Sequence, residues 1–147
     1  MIKLVDILKE INEGKQVGVL YHFTFLNFLL KIIQTNTLKA NPTVGKSYSE
    51  TIDCISLTRT PHKLFYIAQD AEAVLVIDGD KLSNRYKISP HFDWASDDEE
   101  DEMEERICGK DITNLDQYLI KVILFENNDE IESLLKEKDI PYEIKES

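Results

Sequence analysis

Apolar residues recur every three or four positions in several segments of the chain, which is the spacing of helices that bury one face. One such stripe begins after Thr24, a residue that can cap a helix, and ends near Thr35-Asn36. By the same criteria, we expect further helices at residues 3–12, about 61–69, within 81–88 and at 129–138.

Shorter apolar runs rich in β-branched residues separate these helices and predict strands. The predicted strands cover residues 17–23, 54–58, 74–77, 118–125 and 140–144. Residues 41–53 are polar and predict a mobile loop, and Asp78-Gly79 predicts a turn. Because strands and helices are interleaved irregularly, the pattern predicts an α+β fold rather than a doubly wound sheet. The length favours a single domain over residues 1–147.

The negative charge of the chain is concentrated in one segment. The chain has 17 basic and 28 acidic residues, a formal net charge of −11. Eight of the acids lie between Asp97 and Glu105, so the other 20 acids against 17 bases leave −3 for the rest of the chain. An acidic protein gains nothing from counterion release, which disfavours general nucleic-acid binding. Bases outside the acidic run still allow a local basic groove: Lys31, Lys39, Lys46, Arg59, Lys63, Arg85 and Lys87.

The sequence predicts a cytoplasmic protein without a membrane partner. The N-terminal segment is amphipathic rather than uniformly apolar, which is not the pattern of a signal peptide. No apolar run approaches the roughly 18–20 residues of a membrane span. Cys54 and Cys108 are too few for a disulfide framework and lack metal-ligand spacing, so we expect reduced cysteines and no metal. Nothing in the sequence indicates an oligomeric state.

Three short segments combine residue types that carry chemistry. They are Tyr21-His22-Phe23-Thr24, Ile55-Ser56-Leu57-Thr58-Arg59 and Glu102-Met103-Glu104-Glu105-Arg106-Ile107. A histidine in an apolar stretch needs a hydrogen-bond partner or a ligand, and two hydroxyls at alternate strand positions share one face. Each segment also has a structural explanation: a satisfied core histidine, a solvated sheet face and a solvated acidic loop.

Taken together and in this order, the segments resemble the motifs of the ADP-ribosyltransferase superfamily. The likeness is to a YH-x-T motif followed by a helix of the L-x-x-I-L kind, an I-S-x-T-R motif and an E-x-E motif, and it extends over about residues 17–124. It is closest to diverged bacterial and phage members, which include DNA- and RNA-modifying toxins. The resemblance implies a split β-sheet core flanked by helices. It also implies a mono-ADP-ribosyltransferase that cleaves NAD, its substrate, and transfers ADP-ribose to a protein or nucleic acid.

The resemblance further implies which residues bind NAD. His22 would hydrogen-bond a ribose of NAD, and Tyr21 and Thr24 would shape the same wall of the cleft. Ser56 and Thr58 would line the nicotinamide side.

The remaining implied roles concern charge and stacking. Arg59 would hold the phosphates or ribose of NAD, and Tyr66 would stack on nicotinamide. Glu104 would be the catalytic carboxylate, with Glu102 assisting it or orienting the acceptor. Because several acids are adjacent, Glu105 is an alternative to Glu104.

Two other functions stay open. The carboxylate cluster can bind a basic surface, as an inhibitor that mimics nucleic acid does, and the fold would then be an inactive relic. Removal of an RNA 2′-phosphate needs several bases around that phosphate. Only Arg59, Lys63 and Arg85 are candidates for it, so this function ranks last.

Overall fold

The computed structural model describes residues 17–44, 51–59, 70–90 and 104–145. These ranges contain both helices and a mixed sheet, so the α+β prediction is confirmed. In chain order the elements are β1 (Val19–Thr24), α1 (Leu26–Thr35), β2 (Thr37–Leu38), β3 (Asn41–Val44), β4 (Thr51–Thr58), β5 (Ala73–Asp78), α2 (Gly79–Ser83), β6 (Ser89–Pro90), β7 (Glu104–Cys108), β8 (Ile112–Thr113), a 3-10 turn (Leu115–Gln117), β9 (Leu119–Leu124), α3 (Asp129–Glu137) and β10 (Tyr142–Ile144). The predicted helices at 3–12 and 61–69 lie outside the described residues.

The strands of the described residues form one large sheet and one small one. The large sheet has the order β10-β9-β5-β1-β4-β7-β6, with β3 added on β4. Its β9–β10 pairing is parallel and its other pairings are antiparallel. Strand β1 pairs with β5 along its whole length but with β4 only at Tyr21 and Thr58. The sheet is therefore divided between β1 and β4 beyond this pair.

The main core lies on one face of the sheet. Leu20, Leu57 and Leu75 are buried there, and α1 packs on them through its apolar stripe, which includes Leu29 and Ile33. A smaller apolar cluster lies on the opposite face, where Tyr21, Phe23 and Phe125 pack against Val74, Val76 and Ile123. Both faces of the central strands are therefore buried, and polar side chains here need partners within the protein.

Helix α1 ends as predicted, but it does not begin at Thr24. Asn36 follows its last residue in the left-handed conformation, at φ 52°, which asparagine tolerates. Thr24 is instead the last residue of β1, and Phe25 occupies the N-cap position without a side-chain bond. The Glu72 carboxylate accepts a hydrogen bond from the Leu26 amide at 3.1 Å, so a distant residue satisfies this helix end.

Two predictions for connecting segments are wrong. Within 41–53, residues Asn41–Val44 form β3 and pair with β4, because backbone hydrogen bonds form a ladder whatever the polarity of the side chains. Asp78-Gly79 begins α2 rather than forming a turn, since the Asp78 side chain accepts a hydrogen bond from the Lys81 amide at 3.1 Å.

The prediction of reduced cysteines is also wrong. Cys54 and Cys108 lie directly opposite each other on β4 and β7, with Cα atoms 4.1 Å apart, and they form a disulfide. Their separation of 54 residues in the chain hides this proximity, which only the strand register creates. In the described ranges, no helix is long and apolar enough to cross a membrane, and no cluster of acidic, histidine and cysteine side chains could hold a metal ion.

Candidate functional site

Three of the predicted site residues are linked where β1, β4 and β7 lie side by side. The Nδ1 atom of His22 lies 2.9 Å from the main-chain oxygen of Ser56. The Ser56 hydroxyl donates a hydrogen bond to Oε1 of Glu104 at 2.6 Å. Ser56 thus connects a histidine 34 residues before it to a carboxylate 48 residues after it.

Donors from β4 and from β7 both bond to the Glu104 carboxylate. Besides the Ser56 hydroxyl, Arg106 Nε donates to the same Oε1 atom at 3.0 Å. Arg106 lies directly opposite Ser56 in the β4–β7 register, so both donors belong to the same strand face as Glu104. Both hydrogen bonds end on Oε1, and neither uses Oε2. These two bonds orient the carboxylate through Oε1.

The protonation state of His22 follows from its surroundings. A carbonyl oxygen can only accept a hydrogen bond, so Nδ1 carries the proton and donates it to Ser56. Burial lowers the pKa of the His22 imidazole below its usual value, and the hydrogen bond to Ser56 opposes this shift without reversing it. The ring is therefore neutral at pH 7, and Nε2 is a hydrogen-bond acceptor.

The division of the sheet explains how His22 reaches Ser56. Side chains alternate between the two faces of a strand. By the β1–β5 register, His22 belongs to the face of the main core, opposite Leu75, whereas Ser56 and Glu104 belong to the other face. The imidazole nevertheless contacts the Ser56 main chain, because β1 and β4 are no longer paired beside this carbonyl.

Glu105, the alternative catalytic acid, has a different environment. It points to the main-core face, is only 1% exposed, and forms an ion pair with the guanidinium of Arg59. Its second oxygen, Oε2, is buried and has no hydrogen-bond partner among the residues that the structure describes. Arg59, predicted to hold NAD phosphates, is thus engaged with a carboxylate, although its side chain remains 42% exposed. Of the two acids, only Glu104 is bonded to Ser56.

The other predicted residues are more dispersed. Tyr21 lies on β1 and packs against the smaller apolar cluster, while Thr58 lies opposite both Tyr21 and Glu104. Thr24 is buried at the end of β1. Glu102 and Tyr66 lie outside the described residues.

An open cleft of about 650 Å³ borders His22 on the side of α1. Its wall includes Thr24, Phe25, Phe28, Lys31 and Lys39. Of the predicted residues that the structure describes, His22 and Thr24 line it, and the others do not: Tyr21, Ser56, Thr58, Arg59 and Glu104.

Sequence reasoning missed the two phenylalanines of this cleft. Apolar residues next to a helical stripe are expected in the core, yet Phe25 and Phe28 are 39% and 55% exposed. The available signal was the spacing of Phe28: it precedes the buried Leu29 and lies off the stripe that includes Leu29, Ile32 and Ile33.

Comparison of the chain with protein-family models, with curated proteins and with solved structures finds no match. The function is therefore inferred from the residues and their geometry.

Proposed function

We propose that this protein is a mono-ADP-ribosyltransferase with a split-sheet core, which cleaves NAD and transfers ADP-ribose to a macromolecule. The observation that carries the proposal is the link through Ser56 between His22 and Glu104. A histidine, a serine and a glutamate from three sequence motifs need not meet in space, and the resemblance requires that they do.

The carboxylate of Glu104 suits the bond cleavage in this reaction. The bond between nicotinamide nitrogen and ribose C1′ breaks, and its electron pair leaves with nicotinamide. Positive charge then develops at C1′ in the transition state. A carboxylate already oriented by Ser56 and Arg106 stabilises this charge without reorganising during the reaction. The acceptor forms the new bond to C1′ and loses its proton.

The neutral imidazole of His22 suits the binding step. With Nδ1 occupied by the Ser56 carbonyl, Nε2 can accept a hydrogen bond from a ribose hydroxyl. Because burial keeps the ring neutral, His22 places no positive charge beside the developing positive charge of the ribose.

The test is incubation of the purified protein with NAD labelled in its ADP-ribose part and cell lysate, with label on protein and on nucleic acid counted separately. We expect Glu104→Gln to reduce the rate about 10²–10³-fold, the effect of removing one preorganised group. Ser56→Ala removes one hydrogen bond to the charged carboxylate and should reduce the rate by roughly 10–150-fold.

The matched control is Glu105→Gln, the same substitution one position along β7. Because Glu105 faces the core, the Glu105→Gln variant should retain most activity per folded molecule. Equal losses in Glu104→Gln and Glu105→Gln would contradict the assignment of the acid. Label transfer that survives Glu104→Gln unchanged would reject the mechanism.

The acidic-surface alternative makes the opposite prediction. Salt-sensitive binding to a basic protein would then persist in His22→Ala and disappear when residues 97–101 are deleted. NAD cleavage would be absent.

We also propose a cytoplasmic location, and the disulfide provides a test of it. Disulfides are rare in reducing compartments. Trapping thiols by alkylation in intact cells reports whether Cys54 and Cys108 are bonded there; a fully oxidised pair would argue for an oxidising compartment instead.

A further inference from the structure

We propose that the cleft bordered by His22, Phe25, Phe28, Lys31 and Lys39 binds a single-stranded nucleic acid, and that this strand is the acceptor of ADP-ribose. The second half of this inference rests on the proposed function. The first half, strand binding, stands on the cleft alone and is tested separately.

The cleft contains an exposed aromatic pair. The rings of Phe25 and Phe28 have centroids 6.3 Å apart at an angle of 63°, an edge-to-face contact. Both side chains remain well exposed, and both rings line the cleft. Nucleic-acid bases stack on such rings whatever their sequence, because every base presents a flat π face.

The charge of the cleft is opposite to that of the protein. Lys31 lies one helical turn after Phe28 on the same strip of α1, and Lys39, which follows the end of this helix, also lines the cleft. Within residues 17–44, 51–59, 70–90 and 104–145, neither lysine forms an ion pair, and the lining residues there include no Asp or Glu. In a chain of net charge −11, this local pattern favours an anionic ligand.

The amino terminus of α1 does not supply the anion site, since the Leu26 amide already donates to the Glu72 carboxylate. Phosphates in the cleft would therefore interact with the two lysines. Aromatic rings and lysines in one groove suit a single strand, because its bases can stack on the rings while its phosphates contact the lysines.

The position of the cleft favours the acceptor rather than NAD as its occupant. The residues proposed to act on NAD include Ser56, Arg59 and Glu104, and these lie outside the cleft wall. His22 and Thr24 belong to both groups, and the His22 ring contacts Ser56 while it also lines the cleft. A nucleotide held in the cleft would thus lie next to the group that binds the reacting ribose. An oxygen or nitrogen of that nucleotide would then bond to C1′ and release its proton as nicotinamide leaves.

The test measures binding of fluorescein-labelled short single-stranded DNA and RNA by anisotropy at low salt. The protein is the full chain carrying Glu104→Gln, so that turnover does not interfere. Phe28→Ala should weaken binding at least about fivefold, the lower limit for loss of one stacked base. Lys31→Ala combined with Lys39→Ala should reduce the slope of log affinity against log salt by about 1.4, or about 0.7 for each phosphate contact.

Two control variants lie away from the cleft. Ile120→Ala removes an apolar side chain that is 42% exposed on β9, and Lys87→Ala removes an exposed lysine. Neither should change affinity or salt slope. Thermal unfolding of every variant checks that the fold is retained.

The inference is overturned if neither DNA nor RNA binds at low salt. It is also overturned if Phe28→Ala and the double lysine variant bind as tightly, and with the same salt slope, as the protein with an intact cleft. It is also overturned if NAD or a peptide, rather than the strand, loses affinity in these variants. Strand binding that depends on Phe28 in a protein without NAD cleavage would uphold the binding site and reject the transferase function. With Glu104 intact and labelled NAD added, label that appears on the strand and is lost in Phe28→Ala supports both.

Discussion

Replacing Arg59 by alanine should lower the free energy of unfolding by more than the loss of an exposed ion pair would. Arg59 is the partner of a carboxylate that is almost wholly removed from water, and within the described ranges Glu105 Oε2 already lacks a hydrogen bond. Without the guanidinium, neither oxygen of Glu105 has a partner in the described part of the chain. A buried charge without compensation is far more costly than a buried charge in a pair.

The magnitude follows from burial. Removing one partner of a fully buried pair costs about 3–5 kcal/mol. Because Arg59 itself is 42% exposed and water reaches the site after truncation, we expect about 2–3 kcal/mol. At roughly 2–4 °C per kcal/mol for a chain of this size, the melting temperature should fall by about 4–12 °C.

The assay is urea unfolding of Arg59→Ala beside Lys121→Ala, which breaks the Lys121–Glu143 pair on the surface. That pair has an N···O distance of 3.4 Å with both side chains exposed, so its loss should cost less than about 1 kcal/mol. Adding Glu105→Gln to Arg59→Ala removes the buried charge and should restore part of the lost stability. Equal stabilities of Arg59→Ala and Lys121→Ala, or no recovery in the double variant, would refute this reasoning.

Three further predictions concern stability. Replacing Cys54 and Cys108 by alanine should cost up to about 4 kcal/mol, because the disulfide closes a loop of 54 residues in the unfolded chain; urea unfolding with and without reductant measures it. Stability should fall as the pH drops below 6.5, the usual pKa of histidine, because the unfolded chain then binds a proton that the folded His22 ring, with its lowered pKa, does not bind. The same slope of stability against pH in His22→Gln would disprove this. Gly79→Ala should cost about 1–3 kcal/mol, because its Cβ would lie 2.4 Å from the Gly18 carbonyl oxygen, and an unchanged thermal midpoint would contradict the close packing.

Local pattern was enough to locate several elements. Periodicity located helices α1 and α3, because each buries one face, and a continuous apolar run located strand β9. The same reasoning fails at β3, whose polar residues join the sheet through their backbone. It also fails at Asp78-Gly79, where a turn and a helix start share the same residues.

The residue types of the candidate site were visible in the sequence, but their relations were not. Strand register determines that Ser56 bonds Glu104 while Glu105 turns to the core, because a shift of one residue exchanges the faces of a strand. Register also joins Cys54 to Cys108. Which side chains of α1 line the cleft depends on which side of this helix packs on the sheet.

The sequence by itself determined the α+β class, the positions of the periodic elements and the inventory of groups able to do chemistry, because these depend on neighbours within a few residues. Only the tertiary structure decided which of those groups meet. Contacts between residues 34 and 48 positions apart depend on strand order and register, and these are set by packing of the whole core rather than by any local segment.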